Sequence, residues 1–282
     1  MKIVIGIDVG MSTTKIIGIK SDSILKGMLV KATDPITSLF GALGKYIHDN
    51  NLSFLDIEKI MITGVGSAYI SKQLYGIPTG KVDEFVANGV GGAYVSKLTN
   101  AVVVSMGTGT SFVKVEGDNI GHIAGTGIGG GTIIGLSKLL LDTSDIDTII
   151  EFAKNGNLSN VDLQIKDITK IPLPDLPMEA TASNFGKTMT GIKKEDVAAG
   201  IINMVLQAIG EFSVFSVMNT NIRDLIMIGN ISKIPQCKDV FNGLGNMFSV
   251  NFIIPDSPEY VTAIGAARAY IEGKNYLDIK ER

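Results

Sequence analysis

The chain has one cysteine, Cys237, in 282 residues. That excludes an intrachain disulfide, a cysteine-rich zinc site and an iron–sulfur site held within one chain. Its two histidines, His48 and His122, have no metal-ligand spacing to that cysteine. No run of 18 apolar residues free of charge occurs, so no membrane span is expected. The first residues run straight into a β-branched segment, so no signal peptide is expected and a cytoplasmic location follows. Neither sign of charge dominates: 25 Lys and Arg stand against 28 Asp and Glu, a net charge of −3. A general attraction to nucleic acid or to anionic lipid is therefore excluded. The Walker A pattern GxxxxGK[ST] is also missing. Glycine, in contrast, is abundant, with 33 residues against the usual ~7%. Much of it is clustered, which points to turns that cradle a ligand. Hydrophobic residues make up 45%, enough for a full core.

The stretch that organises the rest is MKIVIGIDVGMSTTKIIG. Ile3, Val4, Ile5 and Ile7 suit a buried strand. Asp8 ends the run, and Gly10 permits a sharp turn. Met11, Ser12, Thr13, Thr14 and Lys15 follow, then a second strand from Ile16. A carboxylate, a glycine turn, hydroxyls and a lysine suit a polyphosphate with its metal. Backbone amides and hydroxyls bind phosphate oxygens, and Asp8 can hold hydrated Mg²⁺. The plain alternative is a glycine-containing hairpin whose polar residues face water. The same logic recurs at 101–115: a buried strand ending at Ser105, the turn Gly107-Thr108-Gly109, and a strand from Phe112. Two such hairpins can close on one polyphosphate from both sides.

Between and after them the chain alternates strands and helices, as an α/β protein does. Strands are expected over 20–32, 57–63, 225–228 and 248–254. Helices are expected over 36–50, 81–95, 133–141, 195–219 and 262–270. Asp83 and Glu84 open the 81–95 helix, where its dipole favours carboxylates. That preference alone also accounts for them. Gly125-Thr126-Gly127-Ile128-Gly129-Gly130-Gly131-Thr132 opens the next helix. Free N–H groups at that helix start make an anion site the expectation. A dinucleotide fingerprint is rejected, because no strand of a βαβ unit immediately precedes. The segment 142–195 is polar and broken by Pro172, Pro174 and Pro177. Within it, 181–187 has no local mechanism. The 195–219 helix is apolar nearly all round, so it belongs in a core or a subunit interface. The 262–270 helix is built of small residues that permit close backbone approach.

In this order, segments 8–15, 84–95, 105–112, 226–232 and 262–270 resemble the two phosphate motifs, two connecting helices and adenosine motif of the actin-like ATPase and sugar-kinase superfamily. The resemblance implies two ribonuclease-H-like domains, 1–98 and 99–282, with ATP in the cleft between them. Residues 125–136 (GTGIGGGTIIGL), 180–187 (ATASNFGK), 107–111 (GTGTS) and 83–92 (DEFVANGVGG) resemble the bacterial type II pantothenate kinases across essentially the whole chain. That likeness implies ATP- and Mg²⁺-dependent phosphorylation of pantothenate, the first step of coenzyme A biosynthesis, in a homodimer built on the 195–219 helix. Matched position by position, Glu84 takes the place of the catalytic base, and Asp8 faces the metal and γ-phosphate beside Lys15. Gly10 to Lys15, Gly107, Thr108, Gly109, Gly129, Gly130, Gly131, Thr132, Ile133 and Ile134 match nucleotide-binding segments. Gly229 and Asn230 fall in the adenosine motif. Ser105, His122 and Gly125 join Glu84 on the acceptor side. Two departures stand out: His122 replaces an arginine that contacts the pantothenate carboxylate, and Met11 replaces a glycine. A neutral imidazole does not match a permanently charged, bidentate guanidinium. Other readings stay open: a nucleotide-binding regulator, or a kinase of pantetheine or a sugar. The activator ATPases of 2-hydroxyacyl-CoA dehydratases open with a similar segment. They hold an iron–sulfur cluster between subunits, for which Cys237 supplies one ligand per subunit where two are needed.

Overall fold

Runs of β-branched residues build two sheets of the same design. The computed structural model describes residues 2–31, 34–172, 176–187, 190–274 and 276–279. Strands β1 (Ile3–Val9) and β2 (Thr13–Lys20) form an antiparallel hairpin, with β3 (Ser23–Ile24) and β4 (Met28–Lys31) on the outer edge of β2. Helix α1 (Pro35–Asp49) leads to β5 (Ile57–Thr63), parallel to β1, and β6 (Thr79–Lys81) extends the parallel side. Helix α2 (Glu84–Ser96) then leaves the sheet.

The second sheet repeats the pattern. β7 (Asn100–Met106), β8 (Thr110–Glu116) and β9 (Asn119–Thr126) form the antiparallel meander. Next come α3 (Gly130–Leu141), α4 (Ile146–Asn155), β10 (Leu163–Gln164), α5 (Ile165–Ile168), β11 (Thr181–Ser183) and the long α6 (Lys194–Val217). β12 (Asp224–Ile228) returns parallel to β7, and α7 (Gln236–Phe248) connects it to β13 (Asn251–Ile253), also parallel. Helix α8 (Val261–Ile271) and β14 (Leu277–Asp278) follow.

Residue parity divides the core into layers. Ile3, Ile5, Ile7 and Val9 face α1, against Leu39, Leu43 and Tyr46. Val4, Ile17, Ile19 and Met61 face the other way, onto Ala87 of α2 and Ala263, Ala266 and Ala267 of α8. In the second sheet Val102, Val104 and Met106 face the α6 side, while Ala101 and Val103 face Phe85, Ala93 and Val261. Helices α2 and α8 are thus clamped between the two sheets. Strands covered on both faces read as continuous apolar runs, which is why they stood out.

The clamped helices approach closely because their contact residues are small. A Cβ on Gly265 would overlap the Ala87 carbonyl oxygen, one on Gly91 the Val261 oxygen, and one on Gly6 the Ala263 oxygen. Gly265→Ala is therefore expected to destabilise. Overpacking costs roughly 2–3 kcal/mol, against a gain of about 1 kcal/mol in helix propensity. Gly41→Ala, in α1 with nothing within 4 Å of the new Cβ, is expected to stabilise by about 0.5–1 kcal/mol. Urea unfolding of both variants checks the opposite signs.

Several expectations change. The strand that precedes the Gly-rich loop, β9, is one the sequence reading did not place. It pairs antiparallel with β8 and belongs to no βαβ unit, in keeping with the rejection of a dinucleotide fingerprint. Its residues are mostly exposed and include Gly121 and Gly125, which hides the strand pattern. Helix α7 was not expected at all. It occupies part of the anticipated 248–254 strand, which shrinks to β13 after Ser249 caps the helix at φ +54°. Pro174 lies outside the described residues. Helix α6 is long and apolar enough to cross a membrane by length and composition, yet 61% of that window is buried within the protein. The anticipated boundary at 98/99 falls between α2 and β7, while α8 and β14 return to the first sheet. There Asp278 pairs with the buried Lys59.

The segment 181–187 acquires a role. Asp162 is fully buried with no cationic partner among the described residues, and accepts hydrogen bonds from Phe185 N (2.8 Å), Asn203 Nδ2 (2.9 Å), Thr181 Oγ1 (3.2 Å) and Asn184 Nδ2 (3.4 Å). The segment wraps this carboxylate and ties it to α6.

Candidate active site

Ligands of open α/β sheets sit beyond the carboxyl ends of the strands, and here each sheet ends its first strand in a glycine turn. Gly10 N donates to Thr13 O at 3.0 Å, and Gly107 N to Gly109 O at 2.9 Å. The amides of Met11, Ser12, Thr108 and Gly109, at the turn tips, have no acceptor among the described residues. Open amides in a tight turn form an anion-binding concavity. Met11 is 62% exposed at its tip.

Strand register places a polar row beneath the first turn. Asp8 is opposite Lys15 on β2 and opposite Thr63 on β5. All three share the face that carries Val4 and Met61, toward α2 and α8. Lys15 Nζ lies 2.9 Å from Asp8 Oδ2. Gly64, at φ +83°, is bent against the other oxygen, so a Cβ there would lie 2.6 Å from Asp8 Oδ1. Neither Thr63 nor Gly64 was singled out from sequence, since a threonine ending an apolar run looks ordinary. Thr14 has the opposite parity and is fully buried, on the face that carries Ile16 toward α1.

The two acids opening α2 separate by role. Asp83 Oδ1 caps the helix, accepting from Phe85 N (2.9 Å) and Val86 N (3.3 Å). Glu84 is not needed for the cap. Burial raises its pKa above the usual glutamate value, the Asp8 carboxylate raises it further, Lys15 offsets part of this, and Asp83 adds a small rise. The next residue, Phe85, stacks on His122 of β9 with ring centroids 4.0 Å apart and 25° between planes. The first turn of α2 thereby joins Asp8 and Lys15 on one sheet to His122 on the other. Gly125 lies beside the imidazole, its Cβ position 3.8 Å from His122 Nε2. Ser105 sits near the end of β7, in register with Ile228 and Ser111.

The Gly-rich loop does something different from what its sequence suggests. Gly130 N donates to Gly107 O (2.8 Å), Gly131 N to Thr108 O (2.9 Å), and Gly129 N to Thr132 Oγ1 (3.1 Å). The helix start is docked onto the second turn, so these amides are not free for an anion. A Cβ on Gly129 would lie 2.8 Å from the Gly109 Cα, and one on Gly131 3.0 Å from Thr108 Cγ2. The glycines serve this close approach and hold the 107–109 turn in shape. Ile133 points into the core, while Ile134 is partly exposed. Beside the second turn Gly229, at φ +96°, would overlap Met106 O if it carried a Cβ, and its N–H donates to Pro258 O at 2.9 Å. Asn230 follows, exposed.

The model for the family described as Fumble matches residues 92–249. A type II pantothenate kinase of Bacillus cereus strain G9842 is 31% identical over 194 residues, covering 66% of this chain and 70% of that protein. The chain belongs to the Fumble family. A Staphylococcus epidermidis relative, also named type II pantothenate kinase, is 30% identical over 161 residues, 55% of this chain and 60% of its own length. Among solved structures, component A of the (R)-2-hydroxyglutaryl-CoA dehydratase of Acidaminococcus fermentans matches with a TM-score of 0.67 at 18% identity, covering 96% of this chain and 99% of that one. A ROK family glucokinase of Streptomyces griseus, in complex with glucose and AMPPNP, matches with a TM-score of 0.61 at 11% identity, covering 94% and 98%. At these identities they show the fold: the Fumble-family chain has the two-unit α/β architecture of the actin-like ATPases and sugar kinases. Its Cys237 is buried with Sγ 3.1 Å from Ile231 O, and burial pushes the thiol up to about 12. Such a thiol is a poor cluster ligand.

Among the described residues no group of three His, Cys, Asp or Glu side chains could hold a metal. A dedicated all-protein metal cage therefore does not fit. A hydrated Mg²⁺ does, because it keeps several waters and needs one or two carboxylates plus phosphate oxygens. Asp8 would provide the carboxylate, with Oδ2 on Lys15 and the buried Thr63 hydroxyl without a partner among the described residues on the adjoining strand.

Proposed function

We propose that this protein transfers the γ-phosphoryl group of ATP to the primary hydroxyl of pantothenate, the first step of coenzyme A biosynthesis. The observation that carries the reading is Glu84. It stands outside the helix cap, beside the Asp8–Lys15 pair and one residue from the Phe85–His122 stack. Phosphoryl transfer is mostly positioning and charge stabilisation. The open amides of the two glycine turns hold phosphate oxygens, and Lys15 keeps Asp8 oriented while adding positive charge. Glu84 accepts the proton of the attacking hydroxyl. Asp8 would hold Mg²⁺, which would supply charge neutralisation to the phosphate oxygens when bound. Asn230 lies at the adenosine end of the cleft.

The remaining parts of the reading are a homodimer through α6, where Phe212, Phe215 and Met218 are exposed, and a cytoplasmic enzyme without nucleic-acid or membrane partners. The lobes are 1–98 and 99–282, with α8 and β14 crossing back. Coupled ADP release with MgATP and pantothenate, pantetheine or a panel of hexoses tests the activity. Release with pantothenate is expected. Release only with a hexose removes pantothenate as the acceptor.

His122→Arg separates acceptor from nucleotide. An arginine can replace the ring stack on Phe85 with a cation–π contact and adds a fixed charge for a carboxylate. Its expected effect is about a tenfold lower KM for pantothenate and no change for pantetheine, which has no carboxylate. An unchanged KM for pantothenate, or the same change for both acceptors, would remove His122 from the carboxylate end.

A further inference from the structure

Thr63 ends β5 in register with Asp8, on the face that carries the Asp8–Lys15 pair. It is fully buried, and its Oγ1 has no hydrogen-bond partner among the described residues. A buried hydroxyl left unpaired is costly, and such groups are rare unless a missing ligand or water completes them. The neighbouring chain excludes a trivial rearrangement. Gly64 is bent at φ +83° directly against Asp8 Oδ1, so Thr63 and the carboxylate are held side by side. Thr14 offers the contrast. Its hydroxyl is equally unpaired, but it faces the α1 core, away from the turns and from Glu84.

We infer that the Thr63 hydroxyl is a positioning group for the hydrated divalent cation, accepting a hydrogen bond from a water of that cation's shell beside Asp8. Water bound to a cation has its lone pair engaged and presents only donors, so it requires acceptors. Asp8 has one oxygen committed to Lys15, and the Thr63 oxygen adds an acceptor on the adjoining strand. The carboxylate and the hydroxyl together would fix the cation laterally, while phosphate oxygens fill its remaining positions. This rests on the MgATP reading of the site.

The test is calorimetric binding of AMPPNP, with Mg²⁺ and with EDTA, to wild type, Thr63→Val and Thr63→Ser. Valine keeps the β-branched shape the strand requires, and serine keeps the hydroxyl. With Mg²⁺, T63V is expected to bind about tenfold more weakly than wild type. With EDTA the two should agree within about twofold, and T63S should recover most of the Mg²⁺-dependent affinity. T63V binding as tightly as wild type with Mg²⁺ would overturn the inference. So would an equal loss in both buffers, which marks a packing defect. Wild-type protein that binds no AMPPNP in either buffer would overturn the nucleotide reading and this inference with it.

Discussion

Replacing Glu84 with glutamine should lower pantothenate-dependent turnover by roughly 10²–10⁴-fold, the range typical of a lost general base. Affinity for an ATP analogue should not change. The separation is expected because α2 does not depend on Glu84 for its cap: Asp83 makes those bonds. Glutamine has the same shape and leaves the Phe85–His122 stack in place. The pH profile gives a second handle. Burial first, and the Asp8 carboxylate second, raise the Glu84 pKa. A base works only when ionised, so kcat should rise with pH through a value above the usual glutamate range. Its acid limb should be absent from whatever activity E84Q retains. If E84Q turns over at the wild-type rate, another group takes the proton.

Asp162→Ala should be the most damaging single change away from the cleft. The carboxylate is fully buried and receives the Phe185 amide, Asn203 Nδ2 and Thr181 Oγ1 within 3.2 Å. Alanine leaves these donors buried without their acceptor, and each orphaned group costs about 1–3 kcal/mol. Partial rescue comes from neighbours, since Asn203 Nδ2 also reaches Thr181 Oγ1 at 3.3 Å. A net loss of about 3 kcal/mol corresponds to a fall in Tm of roughly 6–12 °C for a chain of this size. Thermal unfolding followed by circular dichroism checks it. A Tm within a degree of wild type would mean that 181–187 does not depend on this carboxylate.

These two residues mark what could be read from sequence. Glu84 was legible because Asp and Glu stand together before an apolar helix, although only the structure shows that one caps and the other does not. Asp8 and Lys15 were legible as polar residues flanking a glycine turn between apolar runs. Asp162 was not, because its partners Thr181, Asn184, Phe185 and Asn203 lie 19–41 residues away. Nothing local announces such a network. Helix α7 escaped because its buried face is carried only by Cys237, Phe241 and Leu244, with Gly243 and Gly245 between and after them. The Gly129–Gly131 reading failed for a different reason. Glycines before a helix mark a close approach, and sequence does not say whether a ligand or another loop makes it. Here the 107–109 turn does.

The clamped pair of helices also has a consequence for how the chain is made. On a ribosome, the first sheet emerges long before residues 261–271, yet the face bearing Val4, Ile17, Ile19 and Met61 is covered in part by α8. The second sheet waits for the same helix, since Val261 covers its inner face. Neither half can be completed vectorially, from front to back. The nascent chain must carry exposed apolar sheet surface until α8 arrives, the condition under which chaperone capture and misassembly compete with folding.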